Sequence, residues 1–244
     1  CRARTETRHR VATMSRAFDL MLFDLDGTLI ETAPEICDAV NDTLRQFRLP
    51  EVSQRQVNDW IGHGTRTLLI QALAFAGDTT VDTVRQSDSL ALIAAEFDKH
   101  YLRRCGTRSH LYPQVREVLQ ALRAQGVKLA VVTNKESRYT TTVLDAHQLS
   151  AVFDRVVSGD TLAAKKPDPA GIHSCLTQFQ VERDRTLFVG DSSIDVATAR
   201  NAGVPVWVLP YGYNMGEPIE ACAPDRVIAD FTALLATLTS PLPA

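Results

Sequence analysis

The sequence has no apolar run that approaches the roughly 18 residues needed for a membrane-spanning helix. Its five cysteines are scattered and odd in number, and no two of them have the spacing of a metal-binding pair. Cysteines of this kind indicate a reduced, intracellular environment. From these absences we expect a cytoplasmic protein with no membrane partner.

No charge of one sign dominates the sequence either. The chain has 26 Lys and Arg against 29 Asp and Glu, which gives a formal net charge of -3. Proteins that bind nucleic acid usually carry a basic excess, so we expect no nucleic-acid partner. The 244 residues suffice for one large domain or two small ones with a sizeable core. The composition does not distinguish a monomer from a homodimer.

Residues 1–17 contain little that could contribute to a hydrophobic core. They are rich in arginine and poor in apolar side chains, and they lack the apolar middle of a secretory signal. We expect them to be a disordered N-terminal extension, or the upstream reading of a gene that starts at Met14.

Beyond this extension the pattern of apolar residues changes twice. The run Leu20–Phe23 ends at Asp24 and predicts a buried strand that stops at a turn. Residues 32–110 show helical spacing, with helices expected over 32–47, 53–61, 65–75 and 84–102. From residue 111 onward helix and strand patterns alternate, which is typical of a parallel sheet with helices on both faces. We therefore predict an α/β core from residues 18–31 and 111–244 that is interrupted by a helical domain over residues 32–110.

Polar clusters follow four of the predicted core strands. In an open parallel sheet, ligands bind beyond the carboxyl ends of the strands, so these clusters are expected to meet at one edge. The clusters are Asp24 with Asp26, Thr133-Asn134-Lys135, Lys165-Lys166-Pro167, and Asp191 to Asp195.

The carboxylates of the first cluster suggest a cation site. Side chains alternate along a strand, so Asp24 and Asp26 can point the same way. Two close carboxylates repel each other unless a cation or a proton lies between them. Together with Asp191 they would form a hard oxygen site suited to Mg²⁺, beside which Asp24 could attack a phosphorus atom. The alternative is that the two aspartates merely end a strand in a turn.

These motifs resemble those of the haloacid dehalogenase superfamily, and they occur in the family's order. Asp24 to Thr28 is similar to its first motif, Val132 to Asn134 to its second, Lys166 to Pro169 to its third and Gly190 to Asp195 to its fourth. The similarity spans about residues 18–238. It implies a Rossmann-like parallel-sheet core with a helical cap domain inserted after the first strand.

The resemblance implies a catalytic role for three residues. Asp24 would be the nucleophile and a magnesium ligand. Asp26 would protonate the leaving oxygen and then activate water, and its backbone carbonyl would contact the metal. Lys166 would neutralise the phosphoaspartate oxygens. These roles agree with the need of phosphoryl transfer for in-line placement and positive charge.

The resemblance also implies roles for four further residues. Three of these residues have a structural alternative. Asp191 would bind magnesium directly, and Asp195 would act on it indirectly or through water. Thr133 and Asn134 would hydrogen-bond the transferring phosphoryl group. Alternatively, Thr133 caps the next helix, Asn134 is purely structural, and Asp195 stabilises a helix start.

The implied activity is hydrolysis of a small phosphorylated metabolite with Mg²⁺ as the cofactor and an aspartyl-phosphate intermediate. A mutase similar to β-phosphoglucomutase would share the same motifs and stays open as an alternative. A non-catalytic binding protein would have no need for the intact set of Asp24, Asp26, Lys166 and Asp191.

The stretch from Ile61 to Arg66 resembles that of the phosphoglycolate phosphatases within the family. This similarity implies 2-phosphoglycolate as the substrate and a role in carbohydrate metabolism, with another small sugar phosphate as the main rival. Gly62 and Gly64 would let the backbone approach a ligand, while His63 and Arg66 could add charge. Alternatively, the glycines only form a turn and Arg66 is solvated.

Overall fold

The computed structural model describes residues 16–239, so nearly all of the predicted extension over residues 1–17 lies outside the described part. Arg16 and Ala17 already contact the fold, since the N–H of Ala17 donates to the carbonyl of Thr237 at 2.8 Å. Within the described residues, none of the helices has the length and apolar character required to span a bilayer.

Eight strands and nine α-helices account for most of the described chain. The strands are β1 (Leu20–Phe23), β2 (Ile30–Glu31), β3 (His110–Leu111), β4 (Lys128–Val132), β5 (Arg155–Val157), β6 (Thr186–Gly190), β7 (Val206–Val208) and β8 (Arg226–Val227). The helices are α1 (Ala33–Gln46), α2 (Gln54–Trp60), α3 (Thr65–Ala76), α4 (Val81–Arg85), α5 (Leu90–Arg104), α6 (Val115–Ala124), α7 (Ser137–Ala146), α8 (Ala170–Phe179) and α9 (Ser193–Ala202).

Six of the strands form one parallel sheet in the order β5-β4-β1-β6-β7-β8. The apolar side chains of β1 explain its central place, because they are buried on both faces. Met21 and Phe23 belong to one hydrophobic cluster, and Leu20 and Leu22 belong to the other. A strand buried on both faces is typical of a parallel sheet covered by helices. The predicted α/β class with a Rossmann-like parallel sheet is thereby confirmed.

The register of the central strands places their carboxyl ends at one level. Phe23 at the end of β1 pairs with Val131 of β4 and with Val189 of β6. The residues that follow these strands therefore emerge side by side at the same edge of the sheet, where ligands bind in open α/β folds.

The five helices α1 to α5 form a helical insert, which we define as residues 32–110. Helix α1 packs against α5, α2 and α3. The two chain segments that enter and leave the insert pair as the antiparallel strands β2 and β3. The sequence did not predict this pair, since two-residue strands are too short to show a period. The division of the chain into two domains stays a prediction.

The prediction of a single helix over residues 84–102 was wrong, because the structure has two helices in this region. Helix α4 ends at Arg85 and α5 begins at Leu90. Between them, the hydroxyl of Ser87 accepts the backbone N–H of Ser89 at 3.3 Å. Serine side chains that bond to the local backbone compete with helical hydrogen bonds in this way.

Candidate active site

Asp24 and Lys166 form a buried ion pair at the carboxyl edge of the sheet. Asp24 directly follows β1, and Lys166 lies in the loop between β5 and α8. Lys166 Nζ is 2.9 Å from Asp24 Oδ1 and 2.7 Å from Asp195 Oδ1. Burial alone lowers the pKa of Lys166, but the carboxylates of Asp195 and Asp24 outweigh it and raise this pKa above its usual value. Lys166 is therefore held as a cation against the candidate nucleophile.

Three buried carboxylates converge here, and that of Asp24 is one of them. One oxygen each from Asp24, Asp191 and Asp195 lies within 4.8 Å of the others, and this is the one such acidic group among residues 16–239. Asp191 is held by the hydroxyl of Thr28, which donates to its Oδ1 at 2.5 Å, and by the N–H of Tyr213, which donates to its Oδ2 at 2.6 Å.

The start of helix α9 positions the third carboxylate. The Oδ2 of Asp195 accepts the N–H groups of Asp191 and Ser192 at 3.1 and 3.0 Å and the Ser192 hydroxyl at 2.8 Å. Ser192 and Asp195 form a reciprocal capping box. Asp195 thus stabilises the helix start, as the structural alternative expected, while its other oxygen contacts Lys166. Its action on a metal stays a prediction.

This group of carboxylates fits a divalent cation. Burial, with added repulsion from neighbouring carboxylates, raises the pKa of Asp24 to about 6 and raises the pKa of Asp191 well above its usual value. Among residues 16–239, Lys166 is the one lysine whose ammonium contacts the group, and its approach to the buried Asp24 Oδ1 lacks the geometry of a hydrogen bond. Oxygen ligands with an uncompensated negative charge are what Mg²⁺ prefers.

The carboxylate of Asp26 lies apart from this group, which corrects the expectation that it converges with Asp24 and Asp191. Lys135 Nζ is 2.9 and 3.2 Å from its two oxygens. The hydroxyl of Thr32 donates to Oδ1 at 2.6 Å, although Thr32 also stands at the N-cap of α1. The chain turns after Leu25, so Asp26 faces α1. Contact between its backbone carbonyl and a metal stays a prediction.

Thr133 and Asn134 are both buried next to the acidic group. Thr133 does not cap helix α7, because the N-cap position there belongs to Glu136. The amide nitrogen of Asn134 donates to the carbonyls of Gly62 and Lys166 at 2.9 and 3.0 Å. Asn134 therefore ties the helical insert to the core, and phosphoryl binding by either residue stays a prediction.

The loop that contains Gly62 and Gly64 lies against the core. Both glycines have positive φ angles, 130° and 89°, which side chains disfavour. Lys165 Nζ donates to the carbonyl of His63 at 2.8 Å, so Lys165 holds this loop. The side chains of His63 and Arg66 are exposed and do not line the cavity described next. Their role in substrate binding stays a prediction.

A small cavity lies between the helical insert and the acidic edge of the sheet. Its volume is about 30 Å³, which leaves room for about two water molecules. Its lining residues are Asp24, Asp26, Ile36, Ile61, Gly62, Gly64, Thr65, Leu68, Thr133, Asn134, Lys135, Asp191, Ser192 and Tyr213. Among the described residues that line it, Lys135 is the one cation. The structure thus brings residues of the first, second and fourth motifs and the two glycines of the insert to the lining of one cavity.

Sequence reasoning assigned no function to two residues that the structure brings into this site. Lys135 follows Thr133 and Asn134, and this adjacency was the available signal. Tyr213 lies in the loop after β7 and contacts both parts of the chain: its N–H donates to Asp191, and its hydroxyl accepts the N–H of Ala33 at 3.1 Å. No local pattern marks Tyr213 in the sequence.

A parallel sheet of this order, with a buried Asp–Lys pair and an acidic group at its carboxyl edge, agrees with the α/β hydrolase class that the four motifs predicted. The sequence profile of haloacid dehalogenase-like hydrolases matches residues 21–209. The chain belongs to this family, which confirms the resemblance read from the four motifs.

Several similar proteins share one name. The chain is 38% identical to the phosphoglycolate phosphatase of Aliivibrio fischeri over 90% of this chain and 96% of that protein. It is also 38% identical to the phosphoglycolate phosphatase of Haemophilus influenzae, over 92% of this chain and all of that protein. The crystal structure of a predicted phosphoglycolate phosphatase from Haemophilus somnus superposes with a TM-score of 0.85 at 35% identity, covering 90% of this chain and 97% of that one.

Proposed function

We propose that this chain is a Mg²⁺-dependent phosphomonoester hydrolase that acts through an aspartyl-phosphate on Asp24, with 2-phosphoglycolate as the substrate. The observation that carries the proposal is the buried group of Asp24, Asp191 and Asp195 with the Lys166 ammonium against Asp24. It combines a nucleophile, a cation and oxygen ligands at one point.

In the first half-reaction, a carboxylate oxygen of Asp24 forms a bond to phosphorus while the bond from phosphorus to the glycolate oxygen breaks. Asp26 gives that oxygen its proton, so glycolate leaves as an alcohol. Lys166 counters the negative charge on the phosphoryl oxygens. A bound Mg²⁺, held by Asp24 and Asp191, would supply further positive charge to the same oxygens.

In the second half-reaction, Asp26 takes a proton from water as the water oxygen bonds to phosphorus. The bond between phosphorus and Asp24 then breaks, which releases inorganic phosphate and restores the carboxylate. Asp26 thus acts as acid and then as base, and both uses depend on its placement beside the reacting centre.

The proposal of 2-phosphoglycolate as the substrate is supported by the relatives. The relatives at 38% identity are named for phosphoglycolate. The broader statement that the partner is a small phosphorylated metabolite does not depend on the choice of 2-phosphoglycolate. The expected cytoplasmic location stays a prediction.

We expect purified protein with Mg²⁺ to hydrolyse 2-phosphoglycolate at least about tenfold better, in kcat/KM, than hexose phosphates, pentose phosphates or other short phosphorylated acids. A change of one charged contact is worth about this factor or more. Phosphate release and sugar-phosphate isomers should be measured together. Tenfold preference for a sugar phosphate would refute the substrate, and isomer formation without phosphate release would identify a mutase.

We expect Asp26→Asn to slow hydrolysis of 2-phosphoglycolate about 10²–10⁴-fold, since general acid–base catalysis contributes about that factor. Release of p-nitrophenolate from p-nitrophenyl phosphate should fall much less in the first turnover, because that leaving group is stable without a proton. Two rates are compared: the pre-steady-state burst of p-nitrophenolate from p-nitrophenyl phosphate, and the single-turnover release of glycolate from 2-phosphoglycolate. An equal loss for both would reduce Asp26 to a positioning group.

A further inference from the structure

Lys135 is a buried cation that none of the proposed steps uses. Its side chain is fully buried, and its Nζ lies 2.9 and 3.2 Å from the two oxygens of Asp26. A buried charge is costly unless it is paired, and here the paired group is the candidate acid and base. Lys135 therefore makes its principal ionic contact with the residue that would transfer protons.

The backbone of Lys135 is held rigidly in the core. Its carbonyl accepts the N–H of Gly159 at 2.8 Å and the hydroxyl of Thr140 at 3.2 Å. Its own N–H donates to the hydroxyl of Thr133 at 3.3 Å. The lysine side chain thus projects from a backbone that three hydrogen bonds fix in place, so its ammonium is a well-defined anchor.

The helical insert supplies the other partner of this ammonium. Lys135 Nζ also donates to the hydroxyl of Tyr101, which lies on α5 and is fully buried. The ring of Tyr101 packs against that of Tyr139 on α7 with centroids 4.4 Å apart. The contact between Lys135 and Tyr101 therefore spans the insert and the core, and it forms where α5 lies against α7.

Both oxygens of Asp26 are held by contacts with neighbouring side chains, which determines the orientation of the carboxylate. A free Asp side chain rotates about two bonds, and only a small part of that range suits proton transfer to a given oxygen. Lys135 contacts both oxygens, and Thr32 donates to one of them at 2.6 Å. Such preorganisation matters because small misplacements cost large factors in rate.

We propose that Lys135 is a positioning residue for Asp26, and that Tyr101 of the helical insert supports it. The proposal rests on the proposed function of Asp26 as acid and base. The contact of Tyr101 with Lys135, which joins the helical insert to the core, then helps to align Asp26.

The test is the leaving-group dependence of Lys135→Met, which keeps the length of the side chain but removes its charge. We expect single-turnover cleavage of 2-phosphoglycolate to fall about 10²-fold or more. The p-nitrophenolate burst should change less than about tenfold and should keep an amplitude of one per active site. Tyr101→Phe should show the same pattern with a smaller loss, about 3- to 30-fold, since it removes one hydrogen bond.

Two matched variants control for general disturbance. Lys99→Met removes an exposed lysine of α5 that pairs with Glu96 and not with Asp26. Tyr139→Phe removes a hydroxyl that donates to Asp98 and not to Lys135. Neither should change the ratio of the two substrates' rates. Binding of beryllium fluoride, measured by the rise in Tm, should be retained in Lys135→Met and would show that the site around Asp24 is intact.

Three results would overturn the proposal. Equal losses on both substrates in folded Lys135→Met would show a general structural role. A raised KM for 2-phosphoglycolate with unchanged kcat would make Lys135 a substrate-binding group. If Lys135→Met does not fold, an unchanged substrate ratio in Tyr101→Phe decides against the proposal. A wild-type enzyme without activity on any phosphomonoester would instead refute the proposed function.

Discussion

Asp24→Asn is expected to reduce turnover by about four orders of magnitude or more, the usual cost of losing a covalent nucleophile. The amide keeps the shape of the side chain but lacks a nucleophilic oxygen. The fold should persist, because the change removes one of three crowded buried carboxylates, and Lys166 keeps its contact with Asp195 at 2.7 Å. Steady-state phosphate release, with thermal unfolding as the check on folding, measures this effect.

Asp88→Asn is the matched control, since the same chemical change falls on an exposed residue between α4 and α5. Its activity should equal that of the wild type. A beryllium fluoride adduct should form on Asp24 in the wild type and be absent in Asp24→Asn. A folded Asp24→Asn protein that retains a tenth of the wild-type rate would eliminate the covalent mechanism.

The edge of the sheet that holds the site could be predicted because two simple patterns coincide there. Leu20 to Phe23 is apolar throughout, as a strand buried on both faces must be, and it ends abruptly at Asp24. The strand before Thr133 and the strand before Asp191 end in the same way. The ends of parallel strands share one edge of the sheet. The order of strands and polar residues along the sequence was therefore enough to predict that these residues meet.

It was harder to predict which aspartates form the acidic group, because this depends on the geometry of the turns. Alternation along an extended strand would keep Asp24 and Asp26 on one side. The strand ends at Phe23, however, and the turn beyond it sends Asp26 toward Thr32 and Lys135. The capping box of α9 then brings Asp195 to the group instead. Both outcomes follow from backbone conformation, which residue spacing does not show.

Contacts between the insert and the core were beyond the reach of the sequence. Tyr101 and Lys135 are 34 residues apart along the chain, on elements whose docking no local pattern describes. The same holds for His63 and Arg66, whose charges suggested a ligand contact. In the structure the backbone of that loop, held by Asn134 and Lys165, faces the core, and these two side chains are exposed.

Removal of divalent metal with EDTA is expected to reduce turnover by at least about 10³-fold, since a catalytic metal is worth several kcal/mol. The reason lies in the protein's own charges. Burial raises the pKa of both Asp24 and Asp191, so without a cation the two carboxylates resist ionising together. The nucleophile would then be poorly placed for attack. Mg²⁺ should restore the rate, and Ca²⁺ should restore it poorly because its coordination is larger and looser.

Thermal unfolding provides a readout of the same site that does not depend on turnover. A ligand that binds only the folded state at about 100 times its Kd adds about 2.7 kcal/mol, which for a chain of this size raises Tm by about 5–10 °C. We expect this rise with Mg²⁺ in the wild type and its loss in Asp191→Asn, whose amide can still accept from the N–H of Tyr213. Full turnover in metal-free buffer would exclude a metal-dependent mechanism, and an equal Tm rise in Asp191→Asn would place the metal elsewhere.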